Sequence, residues 1–127
     1  MIDSIGIIIF LILIHWVGDF VLQTHFMSIK KSSSNYYLSL HVLIYSLTTI
    51  LAWCLFLPCM GYKISFYGIM LSFMIIFISH WVTDYFTSRV TSKLYKEEKI
   101  HNFFVIVGFD QVLHYTQILL TFYYIIK

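Results

Sequence analysis

Four apolar runs, over residues 6–23, 36–57, 64–87 and 102–126, occupy nearly all of a 127-residue chain. Each is long enough to cross a hydrocarbon core of roughly 30 Å at about 1.5 Å of rise per residue. The connections between them are short, which leaves no room for a soluble domain. Charged residues make up 11% of the chain and hydrophobic ones 60%, whereas soluble domains carry about 25% charged residues. Mean hydropathy is +0.84. The expectation is an all-α, multi-pass integral membrane four-helix bundle, with residues 1–127 as one membrane domain and the lipid bilayer as its first partner.

The first run carries His15 and Asp19 and follows Asp3, with no basic segment before it. It is therefore read as a retained span and not as a cleaved signal peptide. Pro58 should stop the second run, because a helix continuing through it would lose a hydrogen bond. Lys30, Lys31, Arg89, Lys93, Lys96 and Lys99 fall in the first and third connections, whereas the opposite side has only Lys63 and Lys127. That asymmetry puts both basic connections in the cytoplasm and both termini outside. A formal net charge of +2 is too small to suggest a nucleic-acid partner. Cys54 and Cys59 lack the paired spacing of zinc ligands, and a local disulfide between them stays open if they face an oxidising compartment.

Inside the apolar runs lie ionisable pairs. His15-Trp-Val-Gly-Asp19-Phe and His80-Trp-Val-Thr-Asp84-Tyr are near-copies, and Asp110-Gln-Val-Leu-His114 carries the same pair in reverse order. A four-residue step puts both side chains of a pair on one helix face. Ionisable groups at membrane depth are costly, so they point to a site. With the orientation above, the first and third spans travel inward and the fourth travels outward. All three aspartates then form a layer on the cytoplasmic side, with the histidines about 6 Å deeper. His41 enters the same half from the second span. Gly18 and Thr83, beside the aspartates, are small enough for helices to approach closely.

Imidazole and carboxylate are ligands for zinc first, with manganese or iron as alternatives. His15, Asp19, His41, His80, Asp84, Asp110 and His114 make seven candidates, enough for one or two divalent ions with an aspartate bridging. Asp19, Asp84 and Asp110 are also the candidate catalytic groups, a non-bridging one acting as general base towards a metal-activated water. Gln23, Gln111 and Arg89 are weaker candidates for substrate contacts, and Arg89 with Lys93 reads more readily as a positive-inside anchor than as an anionic-headgroup contact. Trp16 and Trp81 read as packing or interface anchors, and His25 and His101 as solvated. Against all this stands a bland alternative in which polar side chains simply join helices by hydrogen bonds.

The series His15-x-x-x-Asp19-Phe-x-x-Gln23, Lys30, His41, His80-x-x-x-Asp84 and Asp110-Gln-x-x-His114 resembles the small bacterial and phage membrane proteins of domain-of-unknown-function family 3307. The resemblance covers nearly the whole chain. It implies a bacterial inner-membrane protein, phage-encoded in some cases, and says nothing of activity. The family pattern has a lysine three residues after the second aspartate; this chain has Thr87 there, with Arg89 as the nearest substitute. A looser similarity, to SOS-inducible membrane-bound metal-dependent hydrolases, implies zinc-dependent phosphoester hydrolysis.

Three functions follow as expectations. The first is a metal-dependent hydrolase acting on a phosphoester, a phospholipid or another lipid-like substrate at the cytoplasmic face. The second is a metal-ion or proton transporter, disfavoured because 7–14 and 68–78 offer almost no polar group beyond Ser72. The third is a non-enzymatic membrane interaction protein with a structural His/Asp network. A homo-oligomer is compatible with each.

Overall fold

The computed structural model describes residues 4–126, and of Ser4 the backbone only; Asp3 and Lys127, which entered the reading of the first run and of the orientation, lie outside the described residues. Every regular element among the described residues is helical. Helix α1 (Ser4–Trp16) runs directly into a π-helical turn, Val17–Val21. Thr24 then caps the short α2 (His25–Lys30), its hydroxyl accepting from the Met27 N–H at 3.3 Å. Helix α3 (Asn35–Phe56) gives way to a 3₁₀ turn, Pro58–Met60, closed by Gly61 at φ 86°. Ser65 caps α4 (Phe66–Lys96) by accepting from the Gly68 N–H at 2.9 Å. Helix α5 (Ile100–Thr121) ends in a second π-helical turn, Phe122–Ile126.

Two boundaries differ from the sequence reading. Helix α4 continues to Lys96, well past the end expected at 87, so the charged connection expected from Arg89 to Lys99 shrinks to a turn at 97–99. The reason is local. No glycine or proline interrupts 87–96. The first connection also contains a helix, α2, that the sequence reading lacks.

Helices Asn35–Phe56, Phe66–Lys96 and the continuous stretch Ile100–Ile126 are long and apolar enough to cross a membrane. Ile5–Val21 is a shorter apolar helix, at the lower end of the roughly 17–25 residues that a span requires. Helix α3 packs on α1 and α4, and α5 packs on α4 and α1, so the four longer helices close a ring with α1 opposite α4 and α3 opposite α5. The interior is divided along its length. One end is an apolar core that includes Ile7, Leu11, Trp53, Leu57, Ile69 and Phe122. Towards the other end the buried groups are His15, His41, His80, His114, Asp19 and Asp84. The outward faces are apolar, with Ile9, Leu13, Leu51, Ile78, Phe104 and Val112 among the exposed side chains.

Gly18 sits where α1 meets α3. A Cβ there would lie 2.9 Å from Cδ2 of the Tyr45 ring, which is itself buried and held by His15. The close approach expected at this position is present. Thr83, the matching residue of the second copy, is not merely small: its Oγ1 accepts from Gln117 Nε2 on α5 at 2.6 Å. Gly18→Ala should cost about 1–3 kcal/mol, the usual range for overpacking a filled interior. Thermal or denaturant unfolding in detergent checks it, and an unchanged midpoint would mean that the Tyr45 ring yields freely.

Candidate metal centre

The π-helical turn at Val17–Val21 widens the backbone where Asp19 lies, and inserted turns of this kind recur at functional sites. Asp19 presents Oδ1 to His41 Nε2 at 3.0 Å and to His80 Nε2 at 3.4 Å. From α4, Asp84 Oδ2 lies 3.3 Å from His41 Nε2 and 3.6 Å from His80 Nε2, and the two ring nitrogens are 3.3 Å apart. Thus five of the six edges among these four atoms run from 3.0 to 3.6 Å. A tetrahedral ion with ligands at about 2.0–2.1 Å requires edges of about 3.3–3.4 Å. The four side chains are nearly sealed from solvent, each no more than 4% exposed. They can hold a metal ion.

Two further groups share members with the first: His15, Asp19 and His114, and Asp84, Asp110 and His114. Asp19 turns its second oxygen to His15 Nε2 at 3.6 Å. Asp84 turns Oδ1 to His114 Nε2 at 3.4 Å, and Asp110 Oδ2 lies 3.3 Å from His114 Nδ1. Despite those distances neither His114 nitrogen makes a hydrogen bond of acceptable geometry, and His80 Nδ1 has no partner either. Buried polar atoms are rarely left so. Three carboxylates against one nearby ammonium also leave a formal surplus of negative charge when the imidazoles are neutral. Orphaned nitrogens and surplus charge both suit a cation.

His15 is different. In its neutral form Nε2–H donates to Gln111 Oε1 and Nδ1 accepts from the Tyr45 hydroxyl, both at 3.0 Å. Gln111 in turn donates to Asp110 Oδ2 at 3.1 Å and reaches Asp19 Oδ2 at 3.5 Å. Gln23 Nε2 approaches His41 Nδ1 at 3.2 Å. All seven ligand candidates therefore converge, with Gln23 and Gln111 hydrogen-bonded to them from the side of the cavity that they line.

Arg89 does not join them. Its guanidinium donates to the Tyr85 carbonyl and to Asn35 Oδ1, each at 2.8 Å, and stacks 3.7 Å above the Tyr85 ring. The cation beside Asp84 is Lys31 instead, with Nζ 2.8 Å from Oδ2. Burial alone would lower the Lys31 pKa, but the Asp84 and Asp19 carboxylates outweigh it and hold the ammonium above the usual lysine range. Nothing local separates Lys31 from Lys30, so sequence reasoning spent it on orientation. Tyr45 was missed for the same reason, as one aromatic among many. Thr87 hydrogen-bonds Asp110 Oδ1 at 2.5 Å. His25 and His101 are exposed, and Cys54 and Cys59 are exposed free thiols with no disulfide between them. Trp81 donates to Ser39 Oγ at 3.1 Å, a packing role.

A cavity of about 550 Å³ opens over this cluster. Asp19, Asp84 and Asp110 line it together with Lys31, and none of the four histidines does. The layering expected from the reversed third motif is thus present, with aspartates at the cavity and imidazoles behind them.

Residues 7–127 match the family described as "Protein of unknown function (DUF3307)". The chain belongs to this family. No curated protein and no solved structure matches it, so the looser likeness to the membrane-bound hydrolases has no support from these comparisons. At the position where DUF3307 was expected to carry a lysine, this member uses Thr87 to hold Asp110 and brings its ammonium to Asp84 from the α2–α3 connection instead.

Lys31→Met should destabilise the fold by about 1–3 kcal/mol, the low end for a broken buried pair because Lys31 is 19% exposed. Adding Asp84→Asn should restore part of the loss. A double variant no better than the single one would show that the pair contributes little.

Proposed function

We propose that the protein is a membrane-embedded, metal-dependent hydrolase acting on a phosphoester or lipid-like substrate at the cytoplasmic face. The observation that carries this reading is the convergence of Asp19, His41, His80 and Asp84 beneath an open cavity, with five of their six ligand-atom distances near those of a tetrahedral site. Four spans with both termini outside are part of the proposal. The 17-residue Ile5–Val21 helix is short for a span but closes the ring with the three longer ones. Its outward face is apolar and its inward face carries the site, as expected of a membrane segment.

A divalent ion bound by these residues would polarise a phosphoryl oxygen and acidify a water molecule. Zinc suits the donor set best, with manganese or iron as alternatives. Asp84, Asp110 and His114 form the candidate second set, with Asp84 shared between the two. Asp110 contacts only one histidine and faces the cavity, so it is the aspartate best placed to accept a proton. Gln111 and Thr87 fix its carboxylate. Lys31 lines the same cavity, and once Asp84 is otherwise neutralised its ammonium can face a substrate phosphate.

One observation favours a second reading, ion or proton passage. Helix α3 contributes Ser46, Thr49 and the Trp53 N–H to the half beyond the histidines, where with Ser72 they are buried and lack hydrogen-bond partners. The sequence reading had found only Ser72 there. The third reading, a structural network, draws on the satisfied environment of His15.

Purified protein should carry roughly one or two divalent ions per chain, and a His41→Ala/His80→Ala variant should lose most of them. Less than about 0.3 ions per chain in both proteins would sink the metal reading and leave the network structural. Asp84-dependent ion flux in liposomes would move the assignment to transport. For orientation, a membrane-impermeant maleimide should label the exposed Cys59 thiol in intact spheroplasts. Labelling confined to inverted vesicles would reverse the topology.

A further inference from the structure

The cavity wall above the aspartates is lined with hydroxyl groups, and the proposed hydrolysis uses only that of Thr87. Helix α4 presents Thr87, Ser88, Thr91 and Ser92 to the cavity, and Ser28 and Ser32 face it from α2 and the following turn. These hydroxyls fall into two classes. The protons of Thr91 and Ser28 are committed to helix carbonyls at 2.9 and 2.8 Å and that of Thr87 to Asp110 Oδ1 at 2.5 Å, which leaves their oxygens as acceptors. Ser88 is 92% buried by its 8% exposure, and its Oγ has no partner although it lines the cavity. Ser32 and Ser92 make no hydrogen bond among the described residues and can donate as well as accept.

A wall that offers both donors and acceptors matches a ligand that does the same. Alcohol hydroxyls do; an ammonium group only donates, and a bare phosphate only accepts. A choline head would want an aromatic cage, whereas this lining contributes only Phe20, Phe103 and Tyr95 among its many polar groups. The phosphate itself has its place at the other end, against Lys31 and the aspartate layer. Phe20, Ile29, Phe103 and Val107 give the cavity an apolar side on which an attached chain can lie. At about 550 Å³ it is of the size that takes a small ligand.

We infer that the cavity binds a phosphate ester of a polyol, with the Ser88–Thr91 wall reading the hydroxyls of the head group. The phosphate end of this assignment rests on the metal-hydrolase reading; the hydroxyl end rests on the wall alone. A glycerol- or sugar-bearing phospholipid and a free polyol phosphate share this chemistry.

The test compares head groups that differ only in hydroxyls. Native mass spectrometry of the full chain in detergent, with and without added zinc, would measure retention of phosphatidylglycerol, phosphatidylethanol and phosphatidylethanolamine with matched acyl chains. Phosphatidylglycerol and phosphatidylethanol carry the same charge, so a preference for the former reports hydroxyl recognition. The expected preference is about tenfold, the scale of one or two added hydrogen bonds. Ser88→Ala/Thr91→Val should reduce it to near parity while leaving metal content unchanged, which also shows that the variant folds. Equal retention of phosphatidylglycerol and phosphatidylethanol in the native protein would overturn the inference, as would stronger retention of phosphatidylethanolamine. A preference that survives in the double variant would overturn the role of the wall. Displacement of phosphatidylglycerol by glycerol 3-phosphate would support the head-group assignment and name the free ester as the source. Absence of metal would remove the hydrolase reading, and the head-group ratio in metal-free protein would still decide this one.

Discussion

Three carboxylates packed inside a ring of apolar helices are the constraint around which this protein is organised. Asp19 and Asp84 are nearly sealed from solvent, and each faces two or more imidazoles. Buried charges on this scale persist only with partners or a bound cation. Much of the local structure serves that requirement. The π-helical turn and Gly18 seat Asp19 against α3, and the Thr24 cap starts α2, whose end delivers Lys31 to Asp84. Thr87 and Gln111 take up the oxygens of Asp110. The opposite end of the ring needs no such devices, being filled by aliphatic and aromatic side chains.

The two hexapeptide copies look interchangeable in sequence and are not so in space. The first lies at a π-helical turn, with a glycine against Tyr45 and a histidine whose two nitrogens are already occupied. The second lies in regular α-helix, with a threonine bonded to Gln117 and a histidine whose Nδ1 has no partner. Equivalent spacing has thus been given unequal work. In the first copy the histidine braces the cluster through Tyr45 and Gln111, while its aspartate is the ligand candidate. In the second copy both residues are ligand candidates.

Much of this was legible in the chain because periodicity and burial cost act locally. Apolar runs of membrane length, the stop at Pro58 and the four-residue step of each pair follow from rules that involve one helix at a time. The depth agreement of the reversed Asp110–His114 pair followed from topology alone, and the cavity lining has that layering. What stayed hidden depends on contacts between distant segments. Lys31 meets Asp84 across 53 positions, and Tyr45 meets His15 across 30. Neither residue type is unusual where it stands. Arg89 turns towards Asn35 and Tyr85 because α4 continues past 87, through a stretch that no glycine or proline ends.

The layering also constrains what the site can do. A ligand entering the cavity would meet the carboxylates first, and the imidazoles behind them are buried, where their nitrogens could hold a cation without competition from water. Asp110, whose side chain is 15% exposed, is the aspartate most open to the cavity, while Asp19 and Asp84 are nearly sealed beside the imidazoles. A relay across the membrane would need polar groups on both sides of the imidazoles, and beyond them the buried polar groups among the described residues are hydroxyls and one indole N–H. A site with aspartates at its mouth, imidazoles behind and only neutral polar groups beyond fits the proposed hydrolysis at one face better than passage across the bundle.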